Sequence, residues 1–310
     1  MDKNSKQIVT FPRPLKEGDK IAIVAPAGVL RDHSIVHNSV SALREQGWDA
    51  VIYPHTLGDN GRYSGTDSER YSDLRDAFAD PDVRAILCAR GGYGVVHILD
   101  RLDDLPIKED PKWVIGFSDI SALHALMAKK GIASIHSNMC AAIQHGTEDA
   151  DNVALFGILR GERPVYTFPT HEYDHFGIAT GPLYGGNLSV VAELINTPYD
   201  ILKPGSILFL EDLQEPIYKV ERIFYQLRMS GLLDNVAGII IGKFTEYAPD
   251  ESYKDMYSMI DNVLTGLNIP IAFDVPIGHV THNIPVIEGA RATLKVGSTG
   301  NNSLIFHRGE

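Results

Sequence analysis

The sequence has few cysteines and no long apolar run. These two features argue against a disulfide-rich protein and against a membrane-spanning protein. Its two cysteines, Cys88 and Cys140, form no C-x-x-C pair, which argues against a disulfide framework or a structural zinc site and favours a reducing compartment. No stretch approaches the roughly 20 apolar residues of a membrane span, and the N-terminal stretch lacks the apolar core of a secretory signal. We therefore expect a cytoplasmic protein with no membrane partner.

Positive charge is also in short supply. Lysine and arginine number 28 against 40 aspartates and glutamates, which gives a net charge of −12. Because this excess makes generic attraction to nucleic acid unfavourable, we expect no nucleic-acid partner. An anionic substrate would need a local cation. The twelve histidines include no H-E-x-x-H motif, and His279 and His282 have no cysteine pair nearby, so no metal site is predicted.

Two glycine-rich segments resemble nucleotide-binding loops, but neither one matches the full sequence pattern of such a loop. Gly91-Gly-Tyr-Gly94 follows a predicted strand, but the G-x-G-x-x-G pattern would need glycine where His97 stands. The run from Gly238 to Lys243 has three residues between its glycines instead of four, and Phe244 replaces the Ser or Thr that would hold magnesium. We therefore predict no cofactor and leave open that the first glycine turn serves backbone conformation.

The first half of the chain alternates short apolar runs with segments of helical spacing. This alternation predicts an α/β fold with a mainly parallel sheet covered on both faces and ligands at the carboxyl ends of the strands. The predicted strands are 20–24, 49–53, 84–88 and 113–116, and the predicted helices are 34–46, 68–79 and 120–129.

A polar segment separates this half from a strand-rich second half. Residues 146–175 contain Gly161, Pro164 and Pro169, which is typical of a linker, so we predict domains at 1–145 and 176–310. The second domain is predicted to be a smaller β-rich α/β unit. Its predicted strands are 177–183, 206–210, 236–241, 271–275, 291–296 and 303–306, with helices at 216–229 and 253–264.

The segment Gly116-Phe-Ser-Asp-Ile120 follows a buried strand and precedes a helical pattern. This context is typical of a nucleophile elbow, although Ile120 replaces the last glycine of G-x-S-x-G. Such a turn would present the Ser118 hydroxyl, and the N–H groups that open the next helix, beginning with Asp119, would face an oxyanion. The alternative is that Ser118 or Asp119 only caps the helix.

A nucleophilic serine needs a base, and the base needs an orienting carboxylate. Glu211 and Asp212 end a strongly apolar predicted strand, and His279 lies in a Gly/Pro-rich loop after another strand. Taken singly, Glu211 is consistent with a helix-capping carboxylate and His279 with a turn residue. Their order, Ser then Glu then His, is that of many hydrolases but does not establish proximity.

Taken together, these residues resemble the L,D-carboxypeptidases, a family of serine peptidases that includes muramoyltetrapeptide carboxypeptidases and microcin-immunity hydrolases. The resemblance extends over nearly the whole chain, and several motifs in the right order make it specific. Its segments are Leu15-Lys-Glu-Gly-Asp19, Ala25-Pro26, Gly65-Thr-Asp67 with Arg70, Arg90-Gly-Gly-Tyr-Gly94, Gly116-Phe-Ser-Asp119, Gly185-Gly-Asn-Leu188, Leu210-Glu-Asp212 with Glu221-Arg222, and Gly278-His279.

The resemblance implies a role for each residue of the predicted site. Ser118 becomes the nucleophile, His279 the general base and Glu211 its orienting partner, with an oxyanion hole from the backbone N–H groups of Gly92 and Asp119. It also implies a Rossmann-like N-terminal domain, a smaller β-rich C-terminal domain, a site in the cleft between them, and a homodimer.

The resemblance further implies a substrate, a murein tetrapeptide that loses its terminal D-alanine. Arg90 and Arg222 are the predicted partners of the free carboxylate, since arginine can bind a carboxylate with two hydrogen bonds, although either could serve a structural ion pair. Tyr93 and Asn187 are expected to line the pocket.

Two alternatives and one departure stay open. The microcin-immunity activity would cleave an aminoacyl-nucleotide antibiotic, with the aromatic stretch 171–176 as a counterpart of its stacking loop, although a linker is the preferred interpretation of that stretch. A protein of another class would close two domains on a ligand without catalysis.

Many relatives have His-Gly-Pro-Met where this chain has His136-Ser-Asn-Met139, so it stays open whether this loop contacts the substrate.

Overall fold

The computed structural model describes residues 9–308. The first eight residues, on which part of the prediction about a secretory signal depends, and the last two lie outside this range. Within 9–308 no helix is both long and apolar enough to cross a membrane.

The first layered unit is built from short buried strands and the helices that cover them. Strand β3 is buried at all six positions, as its uninterrupted apolar run predicts. The elements in chain order are β1 (Lys20–Val24), α1 (His33–Glu45), β2 (Asp49–Ile52), α2 (Asp67–Ala79), β3 (Val83–Cys88), α3 (Leu99–Asp103), β4 (Trp113–Gly116), α4 (Ser121–Lys130), β5 (Ser134–His136), α5 (Cys140–Ile143) and α6 (Ala150–Leu159).

The second unit contains more strand than helix. Its elements are β6 (Val165–Pro169), β7 (Gly177–Asn187), α7 (Leu188–Glu193), β8 (Ile207–Leu213), α8 (Ile217–Met229), β9 (Gly238–Thr245), α9 (Met256–Leu264), β10 (Ile271–Ala272), β11 (Val286–Glu288), β12 (Arg291–Val296) and β13 (Asn301–Phe306). Short 3₁₀ turns lie at Val95–His97, Ser118–Ile120, Gly146–Glu148 and Leu233–Asn235.

Two sheets organise these elements. The first has the order β11-β5-β4-β3-β1-β2 and is parallel except for β11, which pairs antiparallel with β5. The second has the order β10-β9-β8-β7-β12-β13-β6, parallel from β10 to β7 and antiparallel from β7 to β6. The predicted fold class, a mainly parallel first sheet followed by a β-rich mixed unit, is confirmed.

The two units are more interwoven than the predicted linker suggests. The segment 146–175 contains α6 and β6, and β6 is the edge strand of the second sheet, so this segment is not an unstructured connection. The sequence carried a signal for α6, because Asp149 caps it by accepting hydrogen bonds from the N–H groups of Asp151 and Asn152. Strand β11, in turn, brings the chain back into the first sheet. The domain limits themselves stay a prediction.

Candidate active site

Ser118 lies at a sharp turn between β4 and α4. Its φ is +67°, a left-handed conformation that is strained for a residue with a side chain. Phe117 is the cap position of the 3₁₀ turn and Ile120 that of α4, and neither makes a side-chain capping bond. The capping alternative for Ser118 and Asp119 is therefore wrong, and the segment has the strand–turn–helix geometry of a nucleophile elbow.

A glycine turn lies directly against this elbow. A β-carbon at Gly91 would come within 2.8 Å of the Ser118 β-carbon and 3.1 Å of its hydroxyl oxygen. The next residue, Gly92, has φ +108°, and a β-carbon there would lie 3.1 Å from the α-carbon of Gly28. The Gly28 N–H donates to the Gly91 carbonyl at 2.9 Å. Two backbone segments thus pack in contact beside Ser118, which glycine alone permits.

The side chain of Asp119 joins the glycine turn to the elbow. Its buried carboxylate accepts a hydrogen bond from the Val95 N–H at 2.9 Å, and burial raises the pKa of this carboxyl. The Asp119 N–H belongs to the first turn of the helical segment, where backbone donors have no intrahelical partner. Sequence reasoning predicted a role for this N–H and missed that of the carboxylate.

Arg70 fixes the loops at the same sheet edge and was also given no role from the sequence. Its buried guanidinium donates to the carbonyls of Pro26 at 2.6 Å, Gly94 at 2.8 Å and Gly65 at 3.2 Å, and it pairs with Asp67. The planar group supplies five donors, enough to connect loops that follow β1 and β3 with the loop before α2. One sequence feature could have identified Arg70: it lies four residues before Leu74, a leucine on the buried face of α2.

His279 and Glu211 form a hydrogen-bonded pair. His279 Nδ1 donates to Glu211 Oε2 at 2.8 Å, and the glutamate side chain is fully buried while that of the histidine is 17% exposed. Gly278 makes this contact possible, because a β-carbon there would lie 2.7 Å from Glu211 Oε2. Burial favours the neutral imidazole, but the hydrogen bond and charge of Glu211 outweigh it and raise the pKa of His279 above 6.5. Burial raises the pKa of Glu211, and His279 opposes that rise.

The elbow and the histidine loop meet through Phe117. Its ring centre lies 4.9 Å from that of His279, so the residue before Ser118 packs on the histidine that follows Gly278. The predicted nucleophile, base and carboxylate, which are far apart in the sequence, are therefore on neighbouring segments. The order Ser, Glu, His could not establish this.

Asn187 is held inside the framework of the site. Its amide nitrogen donates to Asp212 Oδ1 at 2.8 Å, its amide oxygen accepts from the Val190 N–H at 3.3 Å, and its backbone N–H donates to Ser121 Oγ at 3.0 Å. It is buried. These contacts join the start of α4 to the end of β8, next to Glu211. The structure gives Asn187 this framework role, and its predicted contact with substrate stays a prediction.

The other predicted substrate residues lie in different places. Arg90 is exposed beside the glycine turn, and one of its nitrogens donates to the Val29 carbonyl at 2.5 Å. Tyr93 is 42% exposed, with its ring centre 5.2 Å from that of His97. Arg222 is exposed on α8, and its guanidinium lies 5.8 Å from the Tyr218 ring centre. Arg90 and Tyr93 thus border the glycine turn, whereas the contact of Arg222 is with its own helix.

His136 and the ring of His171 pack inward, whereas Phe176, at the end of the stretch 171–176, is 64% exposed. His136 is fully buried, with its ring centre 5.0 Å from that of Phe209 and 5.8 Å from that of Phe117. In the stretch 171–176, the His171 ring stacks against Phe273 at 6.0 Å. No group of three or more His, Cys, Asp or Glu side chains that could hold a metal ion occurs in residues 9–308.

Two family models match this chain in order. The LD-carboxypeptidase N-terminal domain matches residues 21–137, and the LD-carboxypeptidase C-terminal domain matches residues 180–294. These ranges include the elbow, the glycine turn, Glu211 and His279.

Individual proteins agree over nearly the whole length. The murein tetrapeptide carboxypeptidase of Pseudomonas aeruginosa is 30% identical over 290 residues, which are 89% of this chain and 93% of that protein. The crystal structure of muramoyltetrapeptide carboxypeptidase from Oxalobacter formigenes superposes with a TM-score of 0.84 at 27% identity, covering 93% of this chain and 99% of that one.

The microcin C7 self-immunity protein MccF, in complex with aspartyl sulfamoyl adenosine, has the same fold. Its TM-score is also 0.84, at 23% identity, covering 95% of this chain and 98% of that one. With both domain models matched in sequence and relatives aligned from end to end, the chain belongs to the LD-carboxypeptidase family and is a serine carboxypeptidase.

Proposed function

We propose that this enzyme is an L,D-carboxypeptidase that releases the terminal D-alanine of murein tetrapeptides by a Ser118–His279–Glu211 acyl-enzyme mechanism. The observation that carries the proposal is the hydrogen bond between His279 and the buried Glu211 of β8. The loop of His279 contacts the strained elbow of Ser118 through Phe117. The named activity of the Pseudomonas relative supports the substrate class. The family resemblance supports a place in peptidoglycan recycling, in the cytoplasm and as a homodimer.

Acylation begins when the Ser118 oxygen attacks the carbonyl carbon before the terminal D-alanine. His279 Nε2 takes the hydroxyl proton as the new C–O bond forms, and Glu211 stabilises the imidazolium through Nδ1. The C–N bond then breaks, and His279 gives the proton to the departing amine of D-alanine. Water attacks the acyl-enzyme with His279 again as the base, and Ser118 recovers its proton.

The oxyanion is stabilised by the backbone N–H groups of Gly92 and Asp119. Each donor of this kind contributes about 2.7–4 kcal/mol to transition-state stabilisation in other hydrolases. The Asp119–Val95 hydrogen bond and the donors of Arg70 hold the two N–H groups in fixed positions, so little reorganisation accompanies the reaction.

We assign the substrate carboxylate to Arg90. It is an exposed cation beside the glycine turn in a protein of net charge −12, and arginine binds carboxylates with paired hydrogen bonds. Tyr93, exposed next to Gly92, would cover the same end of the pocket. Arg222 is the weaker choice, because its contact is with Tyr218 on its own helix.

The test combines a serine-directed fluorophosphonate with two substrates followed by mass spectrometry. Wild type and the control Ser41→Ala, which alters an exposed serine of α1, should be labelled and should release D-alanine from a murein tetrapeptide. Ser118→Ala should do neither. Cleavage of an aminoacyl sulfamoyl adenylate alone would move the assignment to the microcin-immunity activity. Normal hydrolysis by Ser118→Ala would overturn the mechanism, and no turnover or labelling of wild type would favour a binding protein.

A further inference from the structure

We propose that three buried asparagines, Asn152, Asn138 and Asn283, form a directional hydrogen-bond relay that positions the loop of the catalytic His279. This inference rests on the proposed function, because it assigns a positioning role toward the base of that mechanism. The three residues come from α6, from the loop after β5 and from the loop before β11. None of them belongs to the triad.

The relay ends next to the base. Asn283 Oδ1 accepts a hydrogen bond from the N–H of Gly278 at 2.9 Å, and Asn283 Nδ2 donates to Asn138 Oδ1 at 3.4 Å. Asn138 Nδ2 in turn donates to Asn152 Oδ1 at 3.1 Å. Each amide therefore gives its oxygen to one neighbour and its nitrogen to the next.

The direction of the relay is set at its other end. Asn152 Nδ2 donates to the backbone carbonyls of Ala142 at 2.8 Å and Gly146 at 3.1 Å. Carbonyl oxygens can only accept, so the nitrogen side of Asn152 must face them and its oxygen must face Asn138. The same reasoning fixes Asn138 and then Asn283, whose oxygen is left facing the Gly278 N–H.

Burial makes it costly to reverse any of the three amides. The three asparagines are 0%, 4% and 1% exposed for Asn152, Asn138 and Asn283. In such surroundings a reversed amide would set two oxygens or two donors against each other with no solvent to satisfy them, which costs more than the bond itself contributes. The relay therefore has one favourable arrangement.

Gly278 transmits this arrangement to the triad. It precedes His279, and the space for a β-carbon on Gly278 is occupied by Glu211 Oε2 at 2.7 Å. A small displacement of its backbone would thus change the His279–Glu211 alignment. A second anchor acts on the same loop, since Asp151 Oδ2 accepts from the Asn283 N–H at 2.8 Å and lies 2.9 Å from His282 Nδ1.

A matched control exists elsewhere in the second sheet. Asn302 is also fully buried, accepts the N–H of Gly297 five residues upstream at 3.0 Å, and donates Nδ2 to Asp174 at 2.7 Å. Asn283→Ala and Asn302→Ala remove the same kind of contact and should lower the Tm similarly. Only the first removes an anchor of the His279 loop.

The readout is the rate of fluorophosphonate labelling of Ser118 as a function of pH, which does not depend on the identity of the substrate. We expect Asn283→Ala to lower the limiting rate at least tenfold and to shift the apparent pKa of the base downward, because the contact with Glu211 loosens. Asn138 acts on Gly278 only through Asn283 in the relay. Asn138→Leu should therefore produce the same two changes to a smaller degree. Asn302→Ala should produce neither.

Asn283→Asp is the second variant in case Asn283→Ala does not fold, since it keeps the side-chain volume and an acceptor for the Gly278 N–H while it sets an oxygen, in place of the donor, against Asn138 Oδ1. Wild-type rates and pH profiles in Asn138→Leu and the Asn283 variant, at a Tm loss equal to that of Asn302→Ala, would overturn the relay. Persistent hydrolysis by Ser118→Ala would instead overturn the proposed function. The two failures are therefore distinguishable.

Discussion

Gly91 and Ser118 are so close that a β-carbon on the glycine would lie 2.8 Å from the β-carbon of the serine. The φ of Gly91 is not in the left-handed region, so the requirement for glycine at this position is one of space and not of backbone conformation. A side chain there would push directly on the proposed nucleophile.

This contact predicts that Gly91→Ala reduces activity more than stability. The new methyl group would also lie 3.3 Å from the Phe117 carbonyl, so the elbow must shift, and misplacement of this size costs on the order of 100-fold in rate. Overpacking should cost about 1–3 kcal/mol of unfolding free energy. Fluorophosphonate labelling kinetics and urea unfolding measure the two effects.

Gly297→Ala is the control for this substitution, because its β-carbon would meet Thr299 O at an ordinary 3.4 Å. It should label at the wild-type rate. An equally fast Gly91→Ala would show that the elbow does not need the space beside Gly91.

The sequence predicted those parts of the molecule that have a strong local signal. Strand β4 ends at Gly116, as its apolar run predicts, and the elbow follows it. Strand β11 was not predicted, because its three residues, Val-Ile-Glu after a proline, are too few to show periodicity, and its pairing partner β5 lies about 150 residues earlier. Long-range pairing of that kind is invisible to local patterns.

The site divides in the same way. Ser118, Glu211 and His279 were candidates because each residue follows a predicted strand, and their roles were implied by the family resemblance. Only the structure brings His279 to Glu211. Asn187 was predicted to line the pocket, and that contact stays a prediction; its hydrogen bonds to Asp212 and Ser121 are what the structure adds. A sequence does not distinguish a polar side chain that positions another group from one that contacts a ligand, because both kinds of site use the same residue types.

The His279–Glu211 pair predicts the pH dependence of activity. The proposed base acts when neutral, and the Glu211 carboxylate raises the pKa of His279 above 6.5, so kcat/KM should rise with pH through one ionisation above 6.5. Glu211→Gln removes the charge and leaves burial, which lowers the pKa of this histidine. The midpoint should then move below that of the wild type, and kcat should fall by about 10⁴-fold, as for the Asp-to-Asn change in a serine protease triad.

Labelling rates between pH 5 and 9 test the shift of the midpoint, and turnover of a murein tetrapeptide tests the fall in kcat. Ser41→Ala serves as the control, since this serine is exposed on α1, and should keep the wild-type midpoint. A Glu211→Gln profile that coincides with the wild-type profile would contradict the assignment of Glu211 as the partner of the base.

His136 predicts a different pH effect, on stability. Its ring is fully buried, and neither nitrogen has a hydrogen-bond partner among residues 9–308. Burial, with smaller contributions from His124 and His279, holds its pKa well below 6.5. In the unfolded chain the same group would titrate near its ordinary value of about 6.5. Below that pH the unfolded state therefore binds a proton that the native state does not, and stability falls as the pH falls.

Replacing this ring isolates its contribution. In His136→Phe the linkage is absent, so the free energy of unfolding of the variant relative to wild type should increase by about 1.4 kcal/mol between pH 7.5 and 5.5, which follows from one proton bound only by the unfolded state. Contributions from Glu288, buried nearby with its pKa raised by burial, are common to both proteins and cancel in the difference.

Urea unfolding at the two pH values measures this difference in unfolding free energy. The control is His37→Gln, which changes an exposed residue of α1 and is expected to follow the wild type. A constant difference between His136→Phe and wild type at both pH values would mean that His136 binds its proton as readily in the native state as in the unfolded chain, despite its burial between Phe117 and Phe209.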